Sequence, residues 1–206
     1  MKPMDIERRS FEIIAEELGD RKIDPEYDML VRRVIHTTAD FDYYDNLAFS
    51  EHAMTRLMEA ISGGADIVTD TTMAQAGINK RMLARFGGTA RCFIADEDVA
   101  AEARARGVTR SLVSMEKAAR LEKRLVFAIG NAPTALMSIC DLVRAGKLDP
   151  AVVIGVPVGF VNVIEAKEDV MRLPVPWIVA RGRKGGSNVA AAIVNAALYQ
   201  LAEREE

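Results

Sequence analysis

Five short apolar runs divide this chain: Asp66 to Thr69, Ala90 to Ala95, Leu125 to Ile129, Val152 to Val156 and Trp177 to Ala180. They are rich in Val and Ile and show little apolar–polar alternation, the pattern of strands covered on both faces. Longer amphipathic segments lie between them, which predicts a parallel sheet with helical crossovers. The expected fold is α/β: a single-domain three-layer sandwich around a mainly parallel, doubly wound, five-stranded sheet. A length of 206 residues suits one such domain with a full core, taken here as 1–206, and no internal repeat or long linker interrupts it.

Two helices are expected before the sheet, from about Met4 to Leu18 and from Pro25 to about Thr37. For the second, Asp24 stands at the N-cap position, Pro25 follows, and Met29, Leu30, Val34 and Ile35 form an apolar stripe. A third helix from Glu51 to Ile61, capped by Ser50, is expected to stop at Gly63-Gly64. The last is expected from Ser187 to about Ala202, small and apolar on one face.

The balance of 27 basic and 30 acidic residues leaves a net charge of −3, so no global positive field holds the chain to nucleic acid or anionic lipid. An anion site, if present, is local. The beginning of the chain lacks the apolar core of a signal peptide, and no segment offers about 18 uncharged apolar residues in a row. A cytoplasmic protein is therefore expected. Cys92 and Cys140 form no CxxC pair and read as buried thiols, and with only two histidines, His36 and His52, no protein-built metal site is expected.

In open parallel sheets ligands sit beyond the carboxyl ends of the strands. The segments that follow the strands here are Asp70-Thr71-Thr72, Gly130-Asn131-Ala132-Pro133-Thr134, Pro157-Val158-Gly159-Phe160 and Arg181-Gly182-Arg183-Lys184-Gly185-Gly186-Ser187. The last places three cations and three glycines before a helix, an arrangement that suits a carboxylate or phosphate and equally a solvated turn. It is not a P-loop, since the Gly-Lys-Ser order is absent. Asn131 and Pro133 stand where a cap and a first helical residue belong, and Asp70-Thr71-Thr72 either bonds a ligand or caps a helix. His36 falls near a helix end with Arg32 and Arg33 one turn before it. The arginines oppose its protonation, and a polyanion bound between them reverses that balance, which suits a proton donor switched on by substrate; the plainer role is to cap its own helix. His52 reads as an exposed first-turn residue.

Taken in order, Arg9-Ser10-Phe11-Glu12-Ile13-Ile14, Arg33-Val34-Ile35-His36, Gly130-Asn131-Ala132-Pro133-Thr134-Ala135-Leu136, Pro157-Val158-Gly159-Phe160-Val161 and Arg181-Gly182-Arg183 with Gly185-Gly186-Ser187 make the chain resemble the precorrin-8X methylmutases of cobalamin biosynthesis over nearly its whole length. The resemblance implies an isomerase that moves a methyl group from ring carbon 11 to ring carbon 12 of precorrin-8X or cobalt-precorrin-8, giving hydrogenobyrinic or cobyrinic acid, with no cofactor and no methyl donor. It implies His36 as acid and base, and Ser10, Arg33 and Arg110 on the substrate. Asn131, Arg181, Arg183, Lys184, Gly185 and Ser187 complete the expected substrate-binding set. A tetrapyrrole carries many carboxylates around a flat apolar ring, which calls for dispersed cations, small residues and apolar walls such as Val158, Phe160 and Val161. The resemblance also implies a homodimer with its site near the subunit interface, and Phe41-Asp42-Tyr43-Tyr44-Asp45 is a candidate for site wall or dimer contact. The alternatives are a non-catalytic tetrapyrrole carrier, or a nucleotide- or sugar-phosphate-binding α/β enzyme using the 182–187 loop.

Overall fold

The computed structural model describes residues 3–204. Along the chain run α1 (Pro3–Leu18), α2 (Asp28–Thr38), α3 (Tyr43–Asn46), β1 (Leu47–Phe49), α4 (Ala53–Ser62), β2 (Asp66–Thr69), α5 (Thr72–Gly77), α6 (Lys80–Arg85), β3 (Ala90–Cys92), α7 (Glu97–Arg106), α8 (Arg110–Ala118), β4 (Leu125–Ile129), α9 (Pro133–Arg144), β5 (Val152–Gly155), α10 (Val163–Val170), β6 (Trp177–Ala180) and α11 (Ser187–Glu203). The strands form one sheet in the order β1-β6-β5-β4-β2-β3. All neighbours are parallel except β1 and β6.

The five expected strands are β2 to β6, with the second ending at Cys92 rather than Ala95. The sheet has six strands, not five. Leu47-Ala48-Phe49 adds an antiparallel edge, with Leu47 opposite Ala180 and Phe49 opposite Ile178. Three residues, two of them only half-buried, are too few to show a strand period, so pairing with β6 rather than local pattern makes this strand.

Helices cover both faces. Ile67, Val126, Ala128, Ile154 and Ile178 point into a core shared with α1, α2, α4, α5 and α11, while Val68, Phe127, Ile129, Val153 and Val179 point into a second core under α8, α9 and α10. Helix α11 is buried on more than the one face expected: Val189 to Val194 are all buried, as are Ala196, Ala197 and Leu198. Its alanines let α2, α4 and α5 approach around it, so it fills the centre of its layer. Ile193 and Leu198 are fully buried, each contributing about 1.5–3 kcal/mol.

Two expected caps play other parts. Helix α2 begins at Asp28, because Asp24 Oδ1 accepts the Glu26 N–H at 2.9 Å and closes a separate turn over 24–27. Ser50 Oγ accepts the Trp177 N–H at 2.9 Å and ties the end of β1 to β6. The residue entering α4 is instead His52, exposed and in the left-handed region at φ 55°, beside Glu26 and Glu51. Of the cysteines, Cys140 is buried and Cys92 only partly so. Among the described residues no helix is long and apolar enough to cross a membrane.

Candidate active site

The direction of winding reverses between β2 and β4, because the chain leaves β2 toward β3 on one side and returns through β4 toward β5 and β6 on the other. That crevice is where open α/β sheets take ligands. Here its backbone donors are occupied. Asp70, fully buried at the end of β2, accepts the N–H groups of Gly130 at 2.9 Å, Asn131 at 2.8 Å and Ala132 at 2.6 Å. Burial pushes its carboxyl up, and the three backbone donors pull against that rise. The expected capping by Asn131 is therefore absent. Its side chain is exposed, Ala132 is the N-cap, and Pro133 opens α9 as expected. Thr71 caps α5 through the Ala74 N–H. The choice left open for Asp70-Thr71-Thr72 thus falls to structure.

The loops after β4, β5 and β6 are knitted together. A Cβ on Gly130 would lie 2.6 Å from Ser187 Cα, and one on Gly185 would collide with the Val156 carbonyl, so each contact requires glycine. Gly186 N–H donates to the Val156 carbonyl at 2.9 Å and Gly159 N–H to the Arg183 carbonyl at 3.2 Å. Ser187 is buried, its hydroxyl 2.7 Å from that of Thr71. Gly185 and Ser187 thus build the loop, while Arg181, Arg183 and Lys184 are exposed on it.

The exposed cations hold partners within the chain. Lys184 Nζ donates to Asp40 Oδ2 and Asp42 Oδ2, both at 2.6 Å. The bond to Asp40, then that to Asp42, raises the ammonium above its ordinary range, and the same contact holds the Asp40 carboxyl below the usual carboxylate range. Arg181 pairs with Glu168 at 3.0 Å, and the Arg183 guanidinium lies 5.6 Å from the Phe160 ring centre. A cleft of about 360 Å³, with Thr37, Thr38, Asp40, Tyr43, Val158 and Lys184 in its wall, opens beside this loop. Within the Phe41 to Asp45 stretch, Tyr43 is that wall and Tyr44 Oη donates to the Lys22 carbonyl at 3.0 Å.

His36 stands on the last turn of α2, exposed, its ring stacked on Phe11 of α1 at 5.2 Å and 16°. Arg33, one turn earlier, lies between the rings of Phe11 at 5.0 Å and Tyr199 at 4.6 Å, with Nη1 donating to Glu7 at 2.7 Å. Its Nε is buried without a hydrogen-bond partner, an unsatisfied donor that costs about 1–3 kcal/mol. Glu7, Phe11, Met29, Arg33 and Tyr199 line a second cavity of about 510 Å³. His36 lines neither opening itself: its ring stacks on Phe11 of one, and its chain neighbour Thr37 is in the wall of the other. Arg32 is taken up by Asp28 at 2.8 Å. Ser10 donates to the Ile6 carbonyl of its own helix at 2.9 Å.

Arg110 is exposed at the first position of α8, next to Thr109, whose hydroxyl donates to that of Thr134 at 3.1 Å. This places Arg110 beside the 130–134 loop, on a helix of the opposite layer from the one that carries His36. Asp70 and the buried Lys167 were missed as organisers of the rim. The position of Asp70 at a strand end was a usable signal, whereas Lys167 sits in an ordinary amphipathic helix and gave none.

The chain as a whole is similar to proteins of known kind. The family model described as precorrin-8X methylmutase matches residues 5–200. A cobalt-precorrin-8 methylmutase from Salmonella typhimurium is 47% identical, covering 98% of this chain and 97% of its own. A precorrin-8X methylmutase from Pseudomonas aeruginosa is 38% identical over 93% of this chain and 92% of its own. The crystal structure of a precorrin-8x methyl mutase from Thermus thermophilus superposes with a TM-score of 0.88 at 38% identity, covering 97% of this chain and 98% of that one. With a family model matched over residues 5–200, relatives up to 47% identical and near-complete coverage on both sides, the chain belongs to the precorrin-8X methylmutase family.

Proposed function

We propose that this chain is an isomerase that moves a methyl group from ring carbon 11 to ring carbon 12 of a precorrin-8-type tetrapyrrole, in cobalamin biosynthesis, and that residues 1–206 act as one catalytic unit. The observation that carries the reading is His36 at the end of α2, one turn from Arg33 in the wall of one cavity and next in sequence to Thr37, which shares the wall of the other with Lys184. The methyl stays on the substrate throughout, so the protein has only to bind the ring, bend it and move a proton. His36 gives the macrocycle a proton as the methyl migrates and takes one back afterwards, a role worth about 10²- to 10⁴-fold in rate. Holding the ring in its reactive conformation supplies much of the remainder.

Arg33 brings a guanidinium to the wall of one cavity and Lys184 an ammonium to the rim of the other, both charges suited to ring carboxylates. Ser10, Arg110, Asn131, Arg181 and Arg183 extend the substrate-facing set, and Gly185 and Ser187 give the loop its shape. A nucleotide or sugar phosphate at the 182–187 loop fits less well, because there the Gly186 N–H is given to the Val156 carbonyl and Lys184 to Asp40 and Asp42.

The working form is a homodimer in the cytoplasm. Phe160 and Val161, 83% and 77% exposed beyond the sheet, suit either a flat apolar ring or a partner subunit. A dimer also allows Arg110 of one subunit to approach His36 of the other. Sedimentation of the purified protein tests this, a dimer being expected and a monomer counting against it.

The activity is tested by incubating the protein and His36→Ala with metal-free precorrin-8 and with its cobalt form. A changed absorption spectrum at unchanged mass, given by the native protein and lost in the variant, is the expected result. Binding without conversion makes the protein a carrier, and no response to either form rejects the tetrapyrrole reading.

A further inference from the structure

Lys167 lies on α10, and its side chain is fully buried. Its ammonium donates to the Gly182 carbonyl at 2.9 Å and the Lys184 carbonyl at 2.8 Å, the two on either side of Arg183. With both carbonyls turned inward, the Arg183 side chain between them is exposed over Phe160.

Among the described residues no carboxylate pairs with this ammonium. On its own helix Glu168 is taken by Arg181, Asp169 by Arg144, and Glu165 is exposed. On the loop packed against it the charged side chains are Arg181, Arg183 and Lys184, the last bound to Asp40 and Asp42, and on the neighbouring α9 they are Arg144, paired with Asp169, and the exposed Asp141. Burial lowers the Lys167 pKa to about 8 from its ordinary 10.5. The folded protein therefore holds this proton less tightly than the unfolded chain does, and at neutral pH the charge opposes folding. Taking this charge out of water costs free energy that its two hydrogen bonds to carbonyls only partly return. The ammonium is thus poorly explained as a stabiliser and well explained by its grip on the loop.

We propose that Lys167 is a positioning residue for the substrate: its buried ammonium holds the 181–186 loop in the shape that presents Arg181, Arg183 and Lys184 to ring carboxylates. This rests on the reading of that loop as a carboxylate seat. Charge-assisted hydrogen bonds fix the two carbonyls, and the same positive charge, lying behind the loop, adds to the field an anion meets at its surface.

The test compares steady-state conversion of precorrin-8 by native protein, Lys167→Met, Arg183→Ala and Lys184→Ala between pH 6.5 and 9.5, with melting temperatures and amide hydrogen exchange at Gly159 and Gly186. For Lys167→Met the expected result is an unchanged melting temperature, faster exchange and a KM raised about tenfold, with kcat nearly unchanged. The native KM rises as pH passes through about 8, where Lys167 loses its proton, and the KM of Lys167→Met does not.

A lowered melting temperature with KM and its pH profile both native makes Lys167 a purely structural residue and overturns the proposal. Should Lys167→Met not fold, a native KM that stays flat through pH 8 overturns it as well. If Arg183→Ala and Lys184→Ala raise KM while Lys167→Met leaves it native, only the role of Lys167 fails. If none of the three moves KM, the carboxylate seat itself is rejected.

Discussion

The carboxylate of Asp70 accepts the backbone N–H of Gly130 at 2.9 Å, joining the end of β2 to the loop after β4 across the crevice where the sheet reverses its winding. The protein thus supplies from its own chain the anion that many folds of this architecture take from a phosphate ligand. The ligand site proposed above lies outward of this junction, on the exposed side of the 181–186 loop and at the end of α2.

Asp70→Asn should be strongly destabilising. The amide keeps one acceptor but turns an NH2 group toward backbone donors, leaving buried groups unpaired. A loss of about 3 kcal/mol is expected, a fall in melting temperature of roughly 6–12 °C for a chain of this size. Thermal denaturation followed by circular dichroism checks it, and a shift within a degree or two would show that the three bonds contribute little.

Gly185→Ala tests the knitting of the loops. The added methyl meets the Val156 carbonyl, a backbone atom that cannot turn aside. The loop must lift, at about 1–3 kcal/mol, and Lys184 is carried away from Asp40 and Asp42. Denaturation should show the loss of stability, and precorrin-8 titration should show weaker binding; native values for both would mean that the loop adapts freely.

His36→Ala should separate chemistry from stability. The ring is exposed and its packing is one stacked contact with Phe11, so the melting temperature should change little. Turnover of precorrin-8 should fall about 10²- to 10⁴-fold while binding persists. Phe11→Ala, which frees the ring without removing it, should lower kcat by less. A His36→Ala enzyme with native turnover removes the histidine from the reaction.

The two thiols should differ in reactivity. Burial pushes the Cys140 thiol up to about 12, so at pH 8 it is both protonated and out of reach. Cys92 is partly exposed at the end of β3. A disulfide exchange reagent should titrate one thiol in the folded protein and the second only on unfolding. Two fast equivalents would contradict the burial of Cys140.

Local sequence was enough wherever a single segment carries its own signal. The Val- and Ile-rich runs of β2, β4, β5 and β6 bury both faces inside a helix-covered parallel sheet, so fold class and rim followed from them. The family motifs followed from residue order alone, and with them His36 as the proposed acid and base. Tertiary structure decided what depends on residues far apart in the chain. Strand β1 exists because β6 offers it an edge, and Ser50 is drawn from its helix to Trp177. Asn131 lost the capping role to Asp70, some 60 residues away, because a buried carboxylate facing three N–H groups outcompetes an amide that can reach solvent. Lys167 looks like any helical lysine until the loop after β6 folds over it and supplies two carbonyls as acceptors for a charge removed from water. Periodicity reports on burial, and the partners of a buried polar group are known only once the chain has brought them together.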